Sequence, residues 1–327
     1  MDAKEAVEKI EDYSLKTNDT KTGTNVFTKI GIVGCGMLGM EIVKMVSSHG
    51  LDVVFLEVSE QKIREAFNRI DRDLDRMIER WGMTVSEKRA ILSRISGVTE
   101  YSHLSGCELV IESIKSRTRE DSVEIRKSIF KKIENVVDVS TIIATNSTTL
   151  VITEMSSELA HPERCVSLHF ISPAAEIPIV EVARGLHTND KAYEKVCYFA
   201  RILDKKIIPV IESPGIISTR LIACMINEAC EILMEGVAAM EDIDTTMKAG
   251  YGFPLGPFEL ADKIGLDMVV RWLDNLYKEF GEIKYKASPM LKKRVRANHF
   301  GRETGIGFYR YEGNGKKTAT EIVTTSV

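Results

Sequence analysis

From Lys29 onward the chain alternates short apolar runs with helix-length amphipathic stretches, and no other feature constrains its fold as much. The runs are KIGIV at 29 to 33, DVVFL at 52 to 56, ELVI at 108 to 111, TIIA at 141 to 144 and VSLHF at 166 to 170. Each is too short for a helix and rich in β-branched residues, and each is separated from the next by enough chain for a crossover. Strand, crossover, strand is the grammar of a mostly parallel sheet with helices on both faces. The pattern changes at the breaker ESPG, residues 212 to 215, after which apolar residues recur almost entirely at helical spacing. The chain therefore reads as α/β: an N-terminal extension at 1 to 28, a Rossmann-type, mostly parallel sheet domain at 29 to 212, and an all-helical C-terminal domain at 213 to 327. The extension reads as a short helix-capable stretch to about Lys16 followed by the linker-like run TNDTKTGTN.

The first strand runs directly into GCGMLG, which sets Gly34, Gly36 and Gly39 in G-x-G-x-x-G spacing with Met37 and Leu38 between the last two glycines. After a strand and before a helix this turn binds a dinucleotide. The first glycine permits the tight turn, the second lets backbone amides approach a pyrophosphate, and the third allows close helix packing at a positive dipole end. Glu57 follows the second strand, eighteen residues beyond Gly39. Its carboxylate can accept from both ribose hydroxyls of adenosine and would repel a 2′-phosphate, so NAD is expected rather than NADP, with Arg64 as the nearby residue that could alter that choice. The competing reading of Glu57 is a solvated carboxylate at a strand end.

His169 and Glu181 lie in SLHFISPAAEIPIVEV, on two strand-like stretches separated by a proline-containing bend. A histidine titrates near neutral pH, and a carboxylate on one ring nitrogen fixes the tautomer while the other nitrogen takes a proton. The pair is thus either a general base with its orienting partner or a core histidine beside a surface carboxylate.

Bulk composition narrows the partners. A net charge of −4 over 327 residues, with dispersed basic residues, points away from nucleic acid and toward a small molecule. The six cysteines form no C-x-x-C pair, which argues against a disulfide framework or a zinc site and fits a reducing cytoplasm. No metal is expected. There is no run of eighteen apolar residues, so no membrane span is expected, and the N-terminus reads as neither a secretory signal nor a transit peptide. In the helical half, Ile217, Leu221, Met225, Ile232 and Val237 form an apolar stripe that belongs either in a core or between subunits. Arg69, Arg72, Arg76 and Arg80 line one side of a helix over 60 to 80. They are either a phosphate-receiving stripe or a solvated face laced with Asp71, Asp73, Asp75 and Glu79. Trp81 and Trp272 read as packing residues, and histidines other than His169 as surface or structural ones.

Taken together, the turn, Glu57, His169 and Glu181 make the chain resemble the L-3-hydroxyacyl-CoA dehydrogenase family, most closely its short bacterial members. The resemblance covers about residues 29 to 312. It is carried by ATNSTTLVIT and SLHFISP in the sheet half and by INEACEILMEGVAAMEDID, GFPLGPFELADKIGLD and GRETGIGFYRY in the helical half. It implies NAD-dependent oxidation of a 3-hydroxyacyl-CoA, or the reverse reduction, by a homodimer formed through the helical domain. His169 would be the base that takes the 3-hydroxyl proton and Glu181 its orienting partner. Thr148 stands at the family's catalytic serine and Thr219 at an asparagine of the pocket. Ser172 replaces the asparagine of the His-Phe-Phe-Asn-Pro stretch and is expected near the substrate. Glu112 matches the strand-end glutamate by the nicotinamide ribose, Asn146 is expected at the cofactor, and Arg72 matches a basic residue that receives CoA. The loop after Glu112 is about five residues longer than the family pattern, and Asp121 and Arg126 stand where its usual glutamate and lysine would fall. Because three pocket positions depart from the pattern, two alternatives stay open: a dehydrogenase of a 3-hydroxy acid not carried on CoA, and a catalytically silent NAD-binding scaffold.

Overall fold

The structure is a computed structural model that describes residues 27–115, 119–312 and 317–319. The helix-capable N-terminal stretch, the polar run after it and the side chain of Asp121 lie outside the described residues. In chain order the sheet half comprises β1 (Lys29–Val33), α1 (Met37–Ser48), β2 (Asp52–Leu56), α2 (Glu60–Glu79), α3 (Val85–Ser93), β3 (Ile95–Val98), β4 (Leu109–Glu112), α4 (Arg119–Glu134), β5 (Ile142–Thr145), α5 (Ile152–Ser156), β6 (Cys165–Phe170), β7 (Ile179–Arg184), α6 (Asp190–Ile202) and β8 (Lys206–Ile211).

These eight strands form one sheet in the order β3-β2-β1-β4-β5-β6-β7-β8. Neighbours are parallel except β6 and β7, which run antiparallel. Both faces are covered, and β2 shows how. Its Val53 and Phe55 enter one hydrophobic cluster with Ile30, Ile32 and residues of α1 and α2, while Val54 and Leu56 enter another with Phe130 and Ile133 of α4. Alternate side chains thus go to opposite faces and all are buried, as a strand covered on both sides requires. Chain order reverses between β1 and β4, which opens a crevice at their carboxyl ends, the usual place for a ligand in such sheets.

Two strands escaped the sequence pattern. β3 is only ISGV, and Gly97 within it is required: a Cβ there would lie 2.5 Å from Ile63 Cγ2 of α2 and 2.7 Å from Phe55 Cζ. β8 carries Pro209, which lacks a donor for the ladder and is tolerated because the strand is an edge.

The second half contains α7 (Ser218–Met234), α8 (Met240–Thr245), α9 (Pro257–Ile264), α10 (Leu266–Phe280) and α11 (Pro289–Arg296). It is not wholly helical, because β9 (Tyr309–Tyr311) and β10 (Lys317–Ala319) pair antiparallel after α11. The buried carboxylate of Asp262 on α9 anchors that end. It accepts from Phe308 N and Tyr309 N at 2.8 Å each and from Tyr311 Oη at 3.0 Å.

The core face of α7 is Ala223, Ile226, Ala229, Cys230 and Leu233. Of the stripe read from the sequence, Ile217, Leu221 and Val237 are instead 45%, 68% and 69% exposed, which removes the core reading for those residues. Trp81 also departs from the packing reading: it is 97% exposed at the turn after α2, with φ of +60°. On α2 the aspartates turn mainly to lysines of other helices. Asp71 and Asp75 each lie 2.6 Å from Lys88 Nζ of α3, and Asp73 lies 2.5 Å from Lys44 Nζ of α1. Only Arg76 of the four arginines shares one of them, at 3.6 Å from Asp73, among the described residues.

Candidate functional site at the carboxyl ends of the strands

The glycine turn leaves β1 with Gly34 at φ +93°, in the left-handed region that favours glycine. A Cβ on Gly39 would lie 2.2 Å from the Gly34 carbonyl oxygen, so the third glycine is what lets α1 press against the turn. A Cβ on Gly36 would meet nothing within 4 Å. Gly36 is the N-cap of α1 and has no side-chain cap, so the first-turn amides remain available to an anion. Glu57, just beyond β2, accepts from Cys35 N at 2.6 Å, which holds its carboxylate against the turn. An open, amide-lined glycine beside a helix N-terminus and a carboxylate fits a pyrophosphate and an adenosine ribose.

Across the crevice, β6 and β7 bring His169 and Glu181 directly opposite one another in the antiparallel register. Opposed residues project to the same face, so the twelve-residue spacing becomes a contact: His169 Nδ1 lies 2.7 Å from Glu181 Oε2. Both residues are buried. Glu181 also accepts from Ser218 N at 3.0 Å and from Ser218 Oγ at 2.6 Å. Burial alone would push the Glu181 carboxyl up, but the hydrogen bonds from His169 and Ser218 outweigh it and hold the carboxyl below its ordinary range. The carboxylate therefore stays charged, and the arrangement can take a proton on the other imidazole nitrogen while stabilising the resulting cation.

Beside this pair, Thr219 Oγ1 of α7 donates to Thr148 Oγ1 at 3.0 Å, with both threonines buried. Neither Thr148 nor Thr149 caps the following helix, which starts at Ile152 with Val151 as its N-cap; Thr149 Oγ1 instead accepts from Asn275 Nδ2 of α10 at 2.7 Å. Asn146 Oδ1 accepts from Phe170 N at 2.9 Å and so ties the end of β5 to that of β6. Glu112, fully buried at the end of β4, accepts from Ile114 N at 2.7 Å, Thr145 Oγ1 at 2.6 Å and Arg126 Nε at 3.1 Å.

These groups converge on one cavity of about 400 Å³ between the two halves. Gly36, Met37, Leu38, Glu112, Asn146, Thr148, His169, Ser172 and Thr219 all line it. The Ser172 hydroxyl donates to Glu41 Oε1 of α1 at 3.0 Å, so it braces the bend after β6 as well as facing the cavity. Gly34, Gly39, Glu57 and Glu181 are not among the lining residues, and Arg72 lies apart from the cavity, exposed on α2, with its Nε donating to the Asn68 carbonyl at 3.1 Å. No group of metal-binding side chains occurs among the described residues, and no helix there is long and apolar enough to cross a membrane.

Comparison with known proteins decides the family. The model of the 3-hydroxyacyl-CoA dehydrogenase NAD-binding domain matches residues 29–213, and that of the C-terminal domain matches residues 215–311. The chain belongs to the 3-hydroxyacyl-CoA dehydrogenase family. Like other members it is an NAD-dependent oxidoreductase acting on a CH–OH group. It is 36% identical to a 3-hydroxybutyryl-CoA dehydrogenase of Clostridioides difficile over 283 residues, covering 86% of this chain and 99% of the relative. A Bradyrhizobium diazoefficiens enzyme of the same name is 34% identical over 288 residues, covering 88% and 97%. The crystal structure of (S)-3-hydroxybutyryl-CoA dehydrogenase from Ralstonia eutropha superposes with a TM-score of 0.79 at 34% identity, covering 88% of this chain and 99% of that one.

Sequence reasoning missed Ser218, Asn275 and Arg271, which touch Glu181, touch Thr149 and line the cavity, respectively. Asn275 and Arg271 share the cavity-facing side of α10 with Met268 and Trp272. A polar residue interrupting an otherwise apolar helical face was the one signal available for them.

Proposed function

We propose that this dehydrogenase oxidises a short (3S)-3-hydroxyacyl-CoA to the 3-ketoacyl-CoA, or runs the reverse reduction, with His169 as general base and acid. The observation that carries the reading is the 2.7 Å contact between His169 Nδ1 and Glu181 Oε2 at directly opposed strand positions. NAD, when bound, would supply the hydride acceptor. His169 then removes the 3-hydroxyl proton as hydride leaves C3, with Nδ1–H held by Glu181 so that Nε2 is the basic nitrogen. Thr148 accepts from Thr219 and has its own hydroxyl proton to donate to the substrate oxygen. The amides around Gly36 and the start of α1 would hold the pyrophosphate, Glu57 the adenosine ribose, and Glu112 and Asn146 the nicotinamide side. Arg72 and its exposed neighbours on α2 would meet the phosphates of CoA.

A silent scaffold would have no use for a buried histidine held by a carboxylate that itself takes three hydrogen bonds. The chain is inferred to act as a homodimer through the exposed apolar residues Ile217, Leu221, Met234 and Val237. All six cysteines are free and five are buried, which fits a reducing cytoplasm.

The test is NADH oxidation with acetoacetyl-CoA. The wild type is expected to exceed His169→Ala by about 10²-fold or more, with NADH binding retained in the variant. Equal rates for the two proteins would overturn the assignment.

A further inference from the structure

The wall that the helical half gives to the cavity carries positive charge that the proton-transfer groups do not use. Lys115 and Arg126 from the sheet half and Lys263 and Arg271 from α9 and α10 all line the cavity. Two carboxylates stand beside them. Glu112 accepts from Arg126 Nε, and Asp267 is shared by Lys115 Nζ at 2.9 Å and Arg271 Nη2 at 3.3 Å, both through Oδ2. Lys263 has no carboxylate partner among the described residues. Lys115 and Lys263 are exposed, whereas Arg126 is buried and Arg271 half-buried, and each of these two guanidiniums meets a carboxylate.

Arg271 is the informative member. Its side chain is only 16% exposed, yet the 3.3 Å contact to Asp267 is long for a charge-assisted bond and engages one of its five N–H donors. Burial lowers the proton affinity of Arg271, the Asp267 carboxylate offsets part of that, and the nearby Arg126 guanidinium lowers it further. A guanidinium that lines the cavity and is held by one long contact has donors left to receive an anion.

Position indicates which anion. Met268, Arg271, Trp272 and Asn275 recur at i, i+3, i+4 and i+7 on α10, so they share the face that lines the cavity. Asn275 bonds Thr149, next to the Thr148 and Thr219 hydroxyl pair. Arg271 is one helical turn away, about 6 Å of axial rise. Between them the wall is apolar, made by Trp272 with Ile222 and Ile264. The phosphates of CoA lie beyond the pantetheine arm from the acyl group, so a cation one turn from the reacting hydroxyls meets the acyl end.

We propose that the cavity selects a 3-hydroxyacyl group whose far end bears a carboxylate, and that Arg271 receives that carboxylate with Lys263 beside it. This rests on the 3-hydroxyacyl-CoA reading above. The other source of an anion is a phosphate of CoA or of the cofactor.

The experiment compares kcat/KM for acetoacetyl-CoA and for 3-ketoadipyl-CoA in the wild type, Arg271→Met and Arg271→Lys, each with NADH. Both acyl groups are also assayed as N-acetylcysteamine thioesters, which carry no phosphate, and the Kd for NADH is measured for each protein. The wild type is expected to prefer the carboxylate-ended substrate at least about tenfold, as one charge-assisted hydrogen bond allows. Arg271→Met should lower that ratio about 10- to 100-fold, Arg271→Lys should retain part of it, and the preference should persist in the truncated thioesters. A wild type that reduces acetoacetyl-CoA without a preference overturns this inference alone. Loss of the preference in the truncated thioesters assigns Arg271 to a CoA phosphate, and a weakened NADH Kd in Arg271→Met assigns it to the cofactor; either result also overturns it. Turnover of neither substrate by the wild type refutes the hydroxyacyl reading and this inference with it.

Discussion

Replacing Glu181 by glutamine tests the proton-transfer pair with almost no change in volume. In the native site the two carboxylate oxygens accept three hydrogen bonds: Ser218 N on Oε1, and His169 Nδ1 and Ser218 Oγ on Oε2. An amide offers one oxygen and one NH₂ group in their place. If the oxygen faces His169, the NH₂ meets the Ser218 N–H, donor against donor. If the amide flips, its NH₂ donates to Nδ1, the ring proton moves to Nε2, and the nitrogen facing the cavity ceases to be a base. Either orientation also removes the charge that stabilises the imidazolium. Unit charges about 4 Å apart at an effective dielectric near 20 interact by ~4 kcal/mol, which corresponds to about 10³ in rate. Relaxation and water in the cavity reduce this, so a fall in kcat of about 10² to 10³ is expected, with the Kd for NADH changed by less than about threefold. Stopped-flow measurement of single-turnover NADH oxidation with acetoacetyl-CoA isolates this chemical step from product release. A single-turnover rate within about fivefold of wild type would refute the role of Glu181, because it would mean that neither the tautomer nor the charge matters.

Two other substitutions test the remaining structural claims. Gly39→Ala places a methyl group 2.2 Å from the Gly34 carbonyl oxygen; forcing α1 off the turn at an overpacking cost of ~1–3 kcal/mol should weaken NADH binding about 5- to 150-fold by fluorescence titration, and an unchanged Kd would show that the turn does not hold the cofactor. Leu221→Glu, at a residue 68% exposed on α7, is expected to convert a dimer to a monomer in light scattering while leaving the circular dichroism spectrum intact; a wild type that is itself monomeric would end the interface reading.

Much of this site could be read before any coordinates, because strand-turn-helix chemistry is local. The turn from Gly34 to Gly39 and the first strands depend on residues within a few positions of one another, and Glu57 follows from the fixed length of the strand-helix-strand unit around that turn. His169 and Glu181 could be paired as a suggestion only. Their contact depends on β7 reversing direction, and a slip of one residue in the register would have sent Glu181 to the opposite face. Contributions from the helical half were less legible still. Ser218, Arg271 and Asn275 reach the cavity through the tertiary packing of α7 and α10, and nothing in their local sequence records which helical face meets the sheet. Thr148 and Thr149, between a strand and a helix, stand where caps are usual, yet partners on α7 and α10 claim both hydroxyls. The stripe from Ile217 to Val237 stayed open between two readings because apolar spacing is the same whether a face meets its own core or remains exposed.

The threonine pair has a consequence for how such a chain can change over generations. One hydroxyl belongs to the strand-to-helix loop of the sheet half and the other to the first turn of the helical half, and Ser218, which supports Glu181, comes from that same turn. Neither half is a cartridge that can be exchanged for a relative's. A recombinant joining this sheet domain to a foreign helical domain would inherit a cofactor site entire and a reaction centre with one side missing, so the two segments are bound to diverge as a matched set.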